Sequence, residues 1–274
     1  MKFADLHLHT VYSDGTFTPD ELIRESKKAG LSCIAVVDHD TVEGIAPAIA
    51  ASLVEGIEVL PGIELTAEHD GQEVHMLGYF IDYKSGQVID KLENLKKIRV
   101  ERVHKIVSKL KNLGIDLDPE VVFELAKEGT VGRLHIARAM VEVGAVENIY
   151  EAFQKYIGDK GPAYVCGFRF TPLDAVRFIK GSGGIPVLAH PYSINNDELI
   201  LKFIEEGVMG LEIHYPEHSQ SMVNFYLDIA RKHNLLVTGG SDCHGEAKPD
   251  VKIGCIKIPY ELVEKLKEAK DKLL

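Results

Sequence analysis

Residues 2–40 read KFADLHLHTVYSDGTFTPDELIRESKKAGLSCIAVVDHD and contain one complete strand–helix–strand unit. An apolar run from Lys2 to Leu6 predicts the first strand, and the β-branched run at 32–37 predicts the second. The segment TPDELIRESKKAG between them predicts a helix, because Thr18 and Glu21 have the spacing of a capping box. Such a unit is typical of folds that alternate strands and helices around a parallel sheet.

The same alternation recurs along most of the chain. Further strands are predicted at 58–65, 73–80, 185–189, 210–214 and 235–239. Helical patterns lie between the later strands, among them TPLDAVRFIKG, which also has a capping box. About seven strands are therefore expected, and we predict an α/β fold in which they form a β/α barrel.

One segment interrupts this alternation. From 97 to 160 the sequence has only helical patterns, separated by glycines and Pro119. We therefore predict that 1–96 and 161–274 form the barrel and that 97–160 is a helical insertion capping one of its ends. The charged stretch KLENLKKIRVERVHKIVSKLK has an amphipathic spacing, so its charges are expected to form a solvated face.

Composition excludes several classes of protein. The chain has 274 residues, 31 Lys and Arg against 42 Asp and Glu, and a formal net charge of −11, which argues against a broad surface for long nucleic acid. The four cysteines have no C-x-x-C spacing and indicate neither a zinc ribbon nor a disulfide framework. No signal peptide and no apolar run of about 18 residues is recognisable, so we expect a cytoplasmic protein without a membrane segment.

Imidazoles and carboxylates concentrate where the predicted strands end. Catalytic groups of β/α barrels gather at the carboxyl ends of the strands, because these ends and the following loops line a single mouth. A rim packed only for stability has no reason to favour such side chains. The polar positions are His7 and His9, Asp38-His39-Asp40, Glu64, His75, His190, and Ser241-Asp242-Cys243-His244.

Six motifs in this order resemble those of the polymerase and histidinol phosphatase (PHP) family of metal-dependent phosphoesterases. The motifs are ADLHLHTVYSDG, VVDHDT, GIELTA, VHMLGY, LAHP and GGSDCH, and they span nearly the full chain. The resemblance implies a distorted seven-stranded β/α barrel of the PHP type, in agreement with the strand count. It also implies metal ligands at His7, His9, Asp14, His39, Glu64, His75, His190, Asp242 and His244.

The resemblance further implies a phosphoesterase with three divalent ions. One ion would be held by His7, His9, Glu64 and Asp242, a second by Glu64, His75 and His190, and a third by Asp14, His39 and His244. Nitrogen and oxygen ligands without a thiolate suit Mn²⁺, Fe²⁺ or Zn²⁺, and we favour Mn²⁺. Water activated by these ions would attack phosphorus, with Asp14, Glu64 and Asp242 as catalytic carboxylates.

The expected substrate is a small phosphorylated molecule. The helical insertion resembles that of nucleoside 3′,5′-bisphosphate phosphatases and 5′-to-3′ exoribonucleases acting on short RNA. Arg133 and His135 in GRLHIARAM, and Arg169 in GFRFTPLD, are candidates for holding a second phosphate, because guanidinium pairs with phosphate through two hydrogen bonds. A solvated arginine is the alternative for each. His214 could protonate the leaving group, bind substrate or belong to the rim structurally.

Other functions remain open at this point. Histidinol-phosphate phosphatase is the alternative within the family, and only substrate tests would separate the two. Amidohydrolase barrels also begin with His-x-His, but they bridge their metals with a modified lysine where this chain has Glu64. A non-catalytic metal-binding module is the third alternative. The oligomeric state is not indicated.

Three residues near these motifs have alternative roles. Asp38 or Asp40 could orient a ligand imidazole, but Asp40 could instead cap the next helix. Glu212 lies inside a predicted strand and is expected to be a packed or paired barrel residue.

Overall fold

Eight strands form one sheet in the order β7-β6-β5-β4-β3-β2-β1-β8. They belong to a computed structural model that describes residues 1–127, 129–166 and 170–273. The strands are β1 (Phe3–Leu8), β2 (Cys33–Val36), β3 (Glu58–His69), β4 (Gln72–Tyr79), β5 (Ile185–Leu188), β6 (Gly210–His214), β7 (Leu236–Gly239) and β8 (Ile258–Pro259). The barrel prediction is confirmed. The count exceeds seven because β8 has two residues, too few for any periodic pattern.

The sheet closes where the chain leaves β7 and returns to β1. The amide of Asp242 donates to the His7 carbonyl at 2.9 Å, and Leu8 bridges to Cys243. Gly240 permits this approach, because a Cβ there would collide with the backbone and Cβ of His7. The first strand and the last of the predicted ligand motifs are therefore held side by side.

Strand β4 runs antiparallel to both of its neighbours, β3 and β5. A tight turn at Asp70 and Gly71, both with positive φ, joins β3 to β4, as in a type I′ hairpin. The pairing places His75 opposite Thr66, two residues beyond Glu64. The amino-terminal half of β4 therefore lies at the same barrel end as the carboxyl ends of the parallel strands.

The side chains that face the barrel interior form two layers, one apolar and one polar. Leu77 and Tyr79 of β4 pack in an apolar cluster with residues of β1, β2, β3 and β5, and the helix at Tyr260–Asp271 covers it. Glu73 and His75 share the face of Leu77, since successive side chains alternate. A register shift in β1 between Asp5 and Leu8 lets His7 face the same interior as Leu6. A polar layer thus lies above an apolar floor.

Helices cover the outside of the sheet. They are α1 (Pro19–Lys28), α2 (Ile45–Glu55), α3 (Gly86–Asn112), α4 (Pro119–Ala126), α5 (Arg133–Glu142), α6 (Ile149–Ala152), α7 (Pro172–Gly181), α8 (Asp197–Glu205), α9 (Gln220–His233) and α10 (Tyr260–Asp271). The predicted capping boxes are confirmed, by Thr18 with Glu21 at α1 and by Thr171 with Asp174 at α7. In the described part of the chain, no helix is both long and apolar enough to cross a membrane.

The described residues between 97 and 160 form regular structure only as helices. Helices α4, α5 and α6, a π-helical turn at Phe153–Ile157 and the second half of α3 enclose an apolar cluster of their own, which includes Val103, Leu110 and Met140. Helix α3 begins earlier, at Gly86. The division of the chain at 97 and 160 stays a prediction. We call residues 97–160 the helical segment.

Candidate metal centre

All nine predicted ligands lie at one end of the barrel. Strand β1 carries His7, His9 follows its last residue, β3 carries Glu64 and β4 carries His75. The remaining members lie in loops after β1, β2, β5 and β7, and they are Asp14, His39, His190, Asp242 and His244. Residues far apart in sequence therefore meet at the polar layer of the interior.

The carboxylate of Glu64 occupies the middle of this cluster and is 1% exposed. Its Oε1 lies 3.0 Å from His75 Nδ1 and 3.1 Å from His190 Nε2. Its Oε2 lies 3.1 Å from His7 Nε2, 3.2 Å from His9 Nε2 and 3.3 Å from His39 Nδ1. One buried carboxylate thus faces five imidazoles, an arrangement suited to bridging ions.

Among the residues that the structure describes, three groups of side chains have ligand atoms close enough to share an ion. They are His7, His9, Glu64 and Asp242; His9, Asp14, His39 and His244; and His39, Glu64 and His75. The first group equals the first predicted site. The other two contain His9 or His39 beyond the predicted sets, and His190 reaches Glu64 without joining a group. The assignment of each residue to an ion stays a prediction.

Several buried atoms of the cluster fit a metal better than any protein partner. Among the described residues, none forms a well-directed hydrogen bond with His9 Nε2, Asp14 Oδ1 or His39 Nδ1. Burying such atoms without a partner is costly. The donors are imidazole nitrogens and carboxylate oxygens, the set preferred by Mn²⁺, Fe²⁺ and Zn²⁺. The residues present therefore fit divalent cations.

The electrostatics of the cluster favour positive charge at its centre. Burial alone would raise the pKa of Glu64, but His39, His7 and His75 lower it well below its usual range. Burial likewise opposes a charged His75, yet Glu64 and Glu73 raise its pKa to about 10. At His39 burial dominates and lowers the pKa.

Glu212 fixes the orientation of His7. Its Oε1 lies 2.8 Å from His7 Nδ1, and its Oε2 accepts the backbone amide of His190 at 2.9 Å. His7 therefore donates from Nδ1 and presents Nε2 to Glu64 and Asp242. The prediction that Glu212 is a paired barrel residue is confirmed, and its partner is a predicted ligand.

Two residues that the sequence did not reveal hold Asp242. Its Oδ2 accepts the Tyr215 hydroxyl at 2.8 Å and Lys248 Nζ at 2.9 Å, while Oδ1 lies 3.1 Å from His9 Nε2. Tyr215 follows the end of β6, and the predicted ligands were recognised at strand ends of this kind. Lys248 lies in a loop without periodicity, and nothing in the sequence marked it. The pair leaves Oδ1 directed at the imidazoles.

Asp38 and Asp40 have different roles. Asp38 accepts hydrogen bonds from Thr10 and from the Ser13 hydroxyl, which lies 3.5 Å from His9 Nδ1, so its link to an imidazole is indirect. Asp40 accepts the Thr66 amide and pairs with Arg99 of α3. The interpretation of Asp40 as a helix cap is wrong, because α2 begins at Ile45 with Gly44 as its cap.

The charged stretch of α3 does not form only a solvated face. Arg99 and Arg102 are 7% and 8% exposed, and they lie three residues apart on one face of the helix. Arg99 contacts Asp40, which follows His39, and Arg102 contacts Glu73, which precedes His75 on β4. The prediction missed these residues because a run of charges does not reveal which members have buried partners.

The predicted substrate residues have varied surroundings. Arg133 Nη1 lies 2.7 Å from Asp159 Oδ1, and Arg133 Nη2 lies 2.5 Å from Glu73 Oε2. His135 is buried, accepts the Gly132 amide at Nδ1 and has its pKa lowered to about 4 by burial, so Nε2 carries its proton. His214 is half-buried at the end of β6, and Arg169 lies outside the described residues. Their contact with substrate stays a prediction.

The first turn of α5 lies beside the cluster. A Cβ at Gly132, the residue before α5, would be 3.7 Å from Asp14 Oδ2 and 3.2 Å from Arg99 Nη1. The amide of Thr130 donates to the carbonyl of Tyr12 in the loop that carries Asp14. This part of the helical segment therefore contacts the metal-ligand loop directly.

Comparison with known proteins gives consistent matches. The model of the PHP domain family matches residues 5–158. A 3′,5′-nucleoside bisphosphate phosphatase of Chromobacterium violaceum is 32% identical over 259 residues, covering 92% of this chain and 91% of the relative. A 5′-3′ exoribonuclease of Haemophilus influenzae is 32% identical over 248 residues, covering 89% and 90%. A crystal structure from Bifidobacterium adolescentis, assigned as a metal-dependent phosphoesterase, has a TM-score of 0.88 at 33% identity and covers 96% of this chain and 94% of that one.

Proposed function

The chain belongs to the PHP domain family and is a metal-dependent phosphoesterase, and on that premise we propose that it hydrolyses small nucleotides. The proposed substrates are nucleoside 3′,5′-bisphosphates, which would lose a terminal phosphate, or short RNA, which would lose its 5′ nucleotide. The observation that carries the proposal is the buried Glu64 carboxylate with five imidazoles around it. Relatives with these two activities supply the substrate class.

We propose three divalent ions, with Mn²⁺ favoured over Fe²⁺ and Zn²⁺. The ligands would be His7, His9, Asp14, His39, Glu64, His75, His190, Asp242 and His244. Bound ions would lower the pKa of water, contact the attacking and leaving oxygens and neutralise charge on the phosphoryl group. Glu64 would help to hold two of the ions, while Glu212 and Tyr215 keep His7 and Asp242 in place.

Recognition of the rest of the substrate is assigned to the helical segment, which we propose as a cap over the barrel mouth. His135 offers an Nε2–H donor near Asp14, and Arg133 begins the helix after Gly132. Helix amino termini favour anions. Arg169 is the third candidate for the second phosphate. His214 is the candidate proton donor to the leaving group.

Two alternatives are less well supported. Amide hydrolysis in related barrels uses a bridging modified lysine, and Glu64 occupies that place here. Histidinol phosphate would be a second phosphate-ester substrate for the same ligands, and the similarity to nucleotide-acting relatives favours nucleotides instead.

A substrate panel tests the proposal. The Mn²⁺-loaded protein is assayed with adenosine 3′,5′-bisphosphate, adenosine 5′-monophosphate, 5′-phosphorylated short RNA and histidinol phosphate, with the Glu64→Gln variant as control. We expect the highest kcat/KM for the bisphosphate or the RNA, and their ratio distinguishes phosphatase from exonuclease. A preference for histidinol phosphate, or equal activity in the control, would contradict the proposal.

A further inference from the structure

Glu73 and His75 lie on the same face of β4, because they are two residues apart on one strand. The imidazole of His75 lies between two carboxylates. Its Nδ1 is 3.0 Å from Glu64 Oε1, and its Nε2 is 3.5 Å from Glu73 Oε2. One ring nitrogen thus faces the proposed metal positions and the other faces away, toward Glu73.

Two arginines of the helical segment hold Glu73. Arg102 of α3 contacts Oε1, and Arg133 Nη2 lies 2.5 Å from Oε2. The carboxylate is 8% exposed, so solvent screens these contacts weakly. Glu73 therefore cannot turn away without breaking two buried ion pairs.

The arginines are themselves fixed in position. Arg102 Nε donates to the carbonyl of Val165 at 2.9 Å, and Arg133 Nη1 donates to Asp159 at 2.7 Å. The ring of Tyr164 lies 5.3 Å from each guanidinium. Two carboxylates, those of Glu73 and Asp159, balance the two guanidinium charges. These contacts direct both guanidinium groups at the carboxylate of Glu73.

We propose that Glu73 is a positioning residue for the metal ligand His75. It accepts the Nε2 proton of His75, fixes the tautomer and ring angle, and so presents Nδ1 to the metal that Glu64 shares. Arg102 and Arg133 act through Glu73, which makes the helical segment part of the support of the metal centre. The inference rests on the proposed metal role of His75.

Carboxylates in this position commonly contribute 10- to 100-fold to metal affinity, because they hold the imidazole in its binding orientation and raise its basicity. A structural ion pair between Glu73 and the arginines would contribute to folding without affecting the metal. Metal affinity therefore separates the two roles, and it can be measured independently of turnover.

The test is Glu73→Gln, with Mn²⁺ affinity measured by competition against a chromophoric chelator and thermal unfolding recorded in parallel. We expect the affinity of one equivalent of Mn²⁺ to fall about 10- to 100-fold while the others are retained. For p-nitrophenyl phosphate at subsaturating Mn²⁺, kcat should fall and KM should change little. An affinity within about threefold of the unmodified protein, in a folded variant, would overturn the proposal.

The matched control is Asp159→Asn. This change removes the other carboxylate of Arg133, yet it leaves the contact between Glu73 and His75 intact. We expect its Mn²⁺ affinity to stay within about threefold of the unmodified protein. An equal loss in both variants would mean that the arginine pairs only maintain the fold, and the positioning role would be rejected.

A measurement on the unmodified protein covers the case in which Glu73→Gln does not fold. Nitrogen-15 spectra of the Zn²⁺-loaded, histidine-labelled protein report which ring nitrogen of His75 carries the proton. We expect a proton on Nε2 and metal on Nδ1, and the reverse assignment would overturn the proposal. Failure of the nucleotide panel with this spectrum intact would reject only the substrate, whereas absence of bound metal would reject both.

Discussion

Two parts of the metal centre are supported in different ways. His7 is oriented by Glu212, which lies on β6 and also binds the His190 amide, so this side of the centre depends on the barrel alone. His75 faces Glu73, which is held by arginines from α3 and α5. One buried cluster is thus supported by the barrel on one side and by an added helical layer on the other.

The largest effect is expected from replacing Glu64, because its carboxylate lies beside both His7 and His75. Glu64→Gln removes the negative charge between five imidazoles, so bound metal should decrease and kcat/KM should fall on the order of 1,000-fold or more. Elemental analysis and p-nitrophenyl phosphate hydrolysis measure the two quantities. Turnover that survives complete chelation in the unmodified protein would show that the activity does not require metal.

The second test concerns His7, whose orientation depends on Glu212 of the barrel. Glu212→Gln weakens the hold on His7, and we expect a loss of about 10- to 100-fold in metal affinity or activity. Hydrogen exchange in α3 and α5 should be unchanged, because Glu212 is hydrogen-bonded to His7 and to the His190 amide, which lie outside both helices. Glu73→Gln should instead increase exchange in both helices. Equal exchange patterns in the two variants would remove the distinction between the two sides.

The third test concerns Arg133, which we propose both to hold Glu73 and to contact a second phosphate. Arg133→Ala should lower kcat/KM for p-nitrophenyl phosphate several-fold at limiting Mn²⁺, through Glu73. For adenosine 3′,5′-bisphosphate the loss should be roughly tenfold greater, since a charge-assisted hydrogen bond is also lost. Equal losses on both substrates at fixed ionic strength would reject the phosphate contact and leave the positioning role.

The smallest expected effects come from removing two helix caps, one beside the barrel and one in the helical segment. Thr18 caps α1 beside the barrel, and Asp118 caps α4 in the helical segment. Each change to alanine should cost about 1 kcal/mol and leave kcat unchanged. If the barrel and the helical segment unfold as one unit, both variants should show a single, similarly shifted transition by calorimetry. A separate transition shifted only by Asp118→Ala would show that the segment unfolds independently.

The sequence predicted the barrel because strands and capped helices are local patterns, whereas the set of nine proposed ligands came from the resemblance to the PHP family. Strand ends, capping boxes and His-x-His spacing are visible without knowing which residues meet. The His75 position was found although β4 runs antiparallel, since Gln72–Tyr79 still has strand periodicity. The two-residue β8 was missed for lack of any pattern.

The supports of the ligands were harder to predict. Glu73 shares its face with His75, so strand alternation marked the two as neighbours, but nothing local showed that arginines from two helices would reach it. Lys248 reaches Asp242 from a loop without periodicity. Such contacts depend on how elements distant in sequence pack, and a single sequence does not encode those distances in a recognisable pattern.

The closure of the barrel also fixes the order in which the centre can be assembled. Asp5 and Ser241, which join the two sides of the closure, are 236 positions apart, so their contact carries a large loop entropy and forms late. During synthesis, His7 and His9 leave the ribosome long before Asp242 and His244. Six of the nine proposed ligands are therefore synthesised within the first 75 residues, but the group of His7, His9, Glu64 and Asp242 becomes complete only when the last parallel strand has been made.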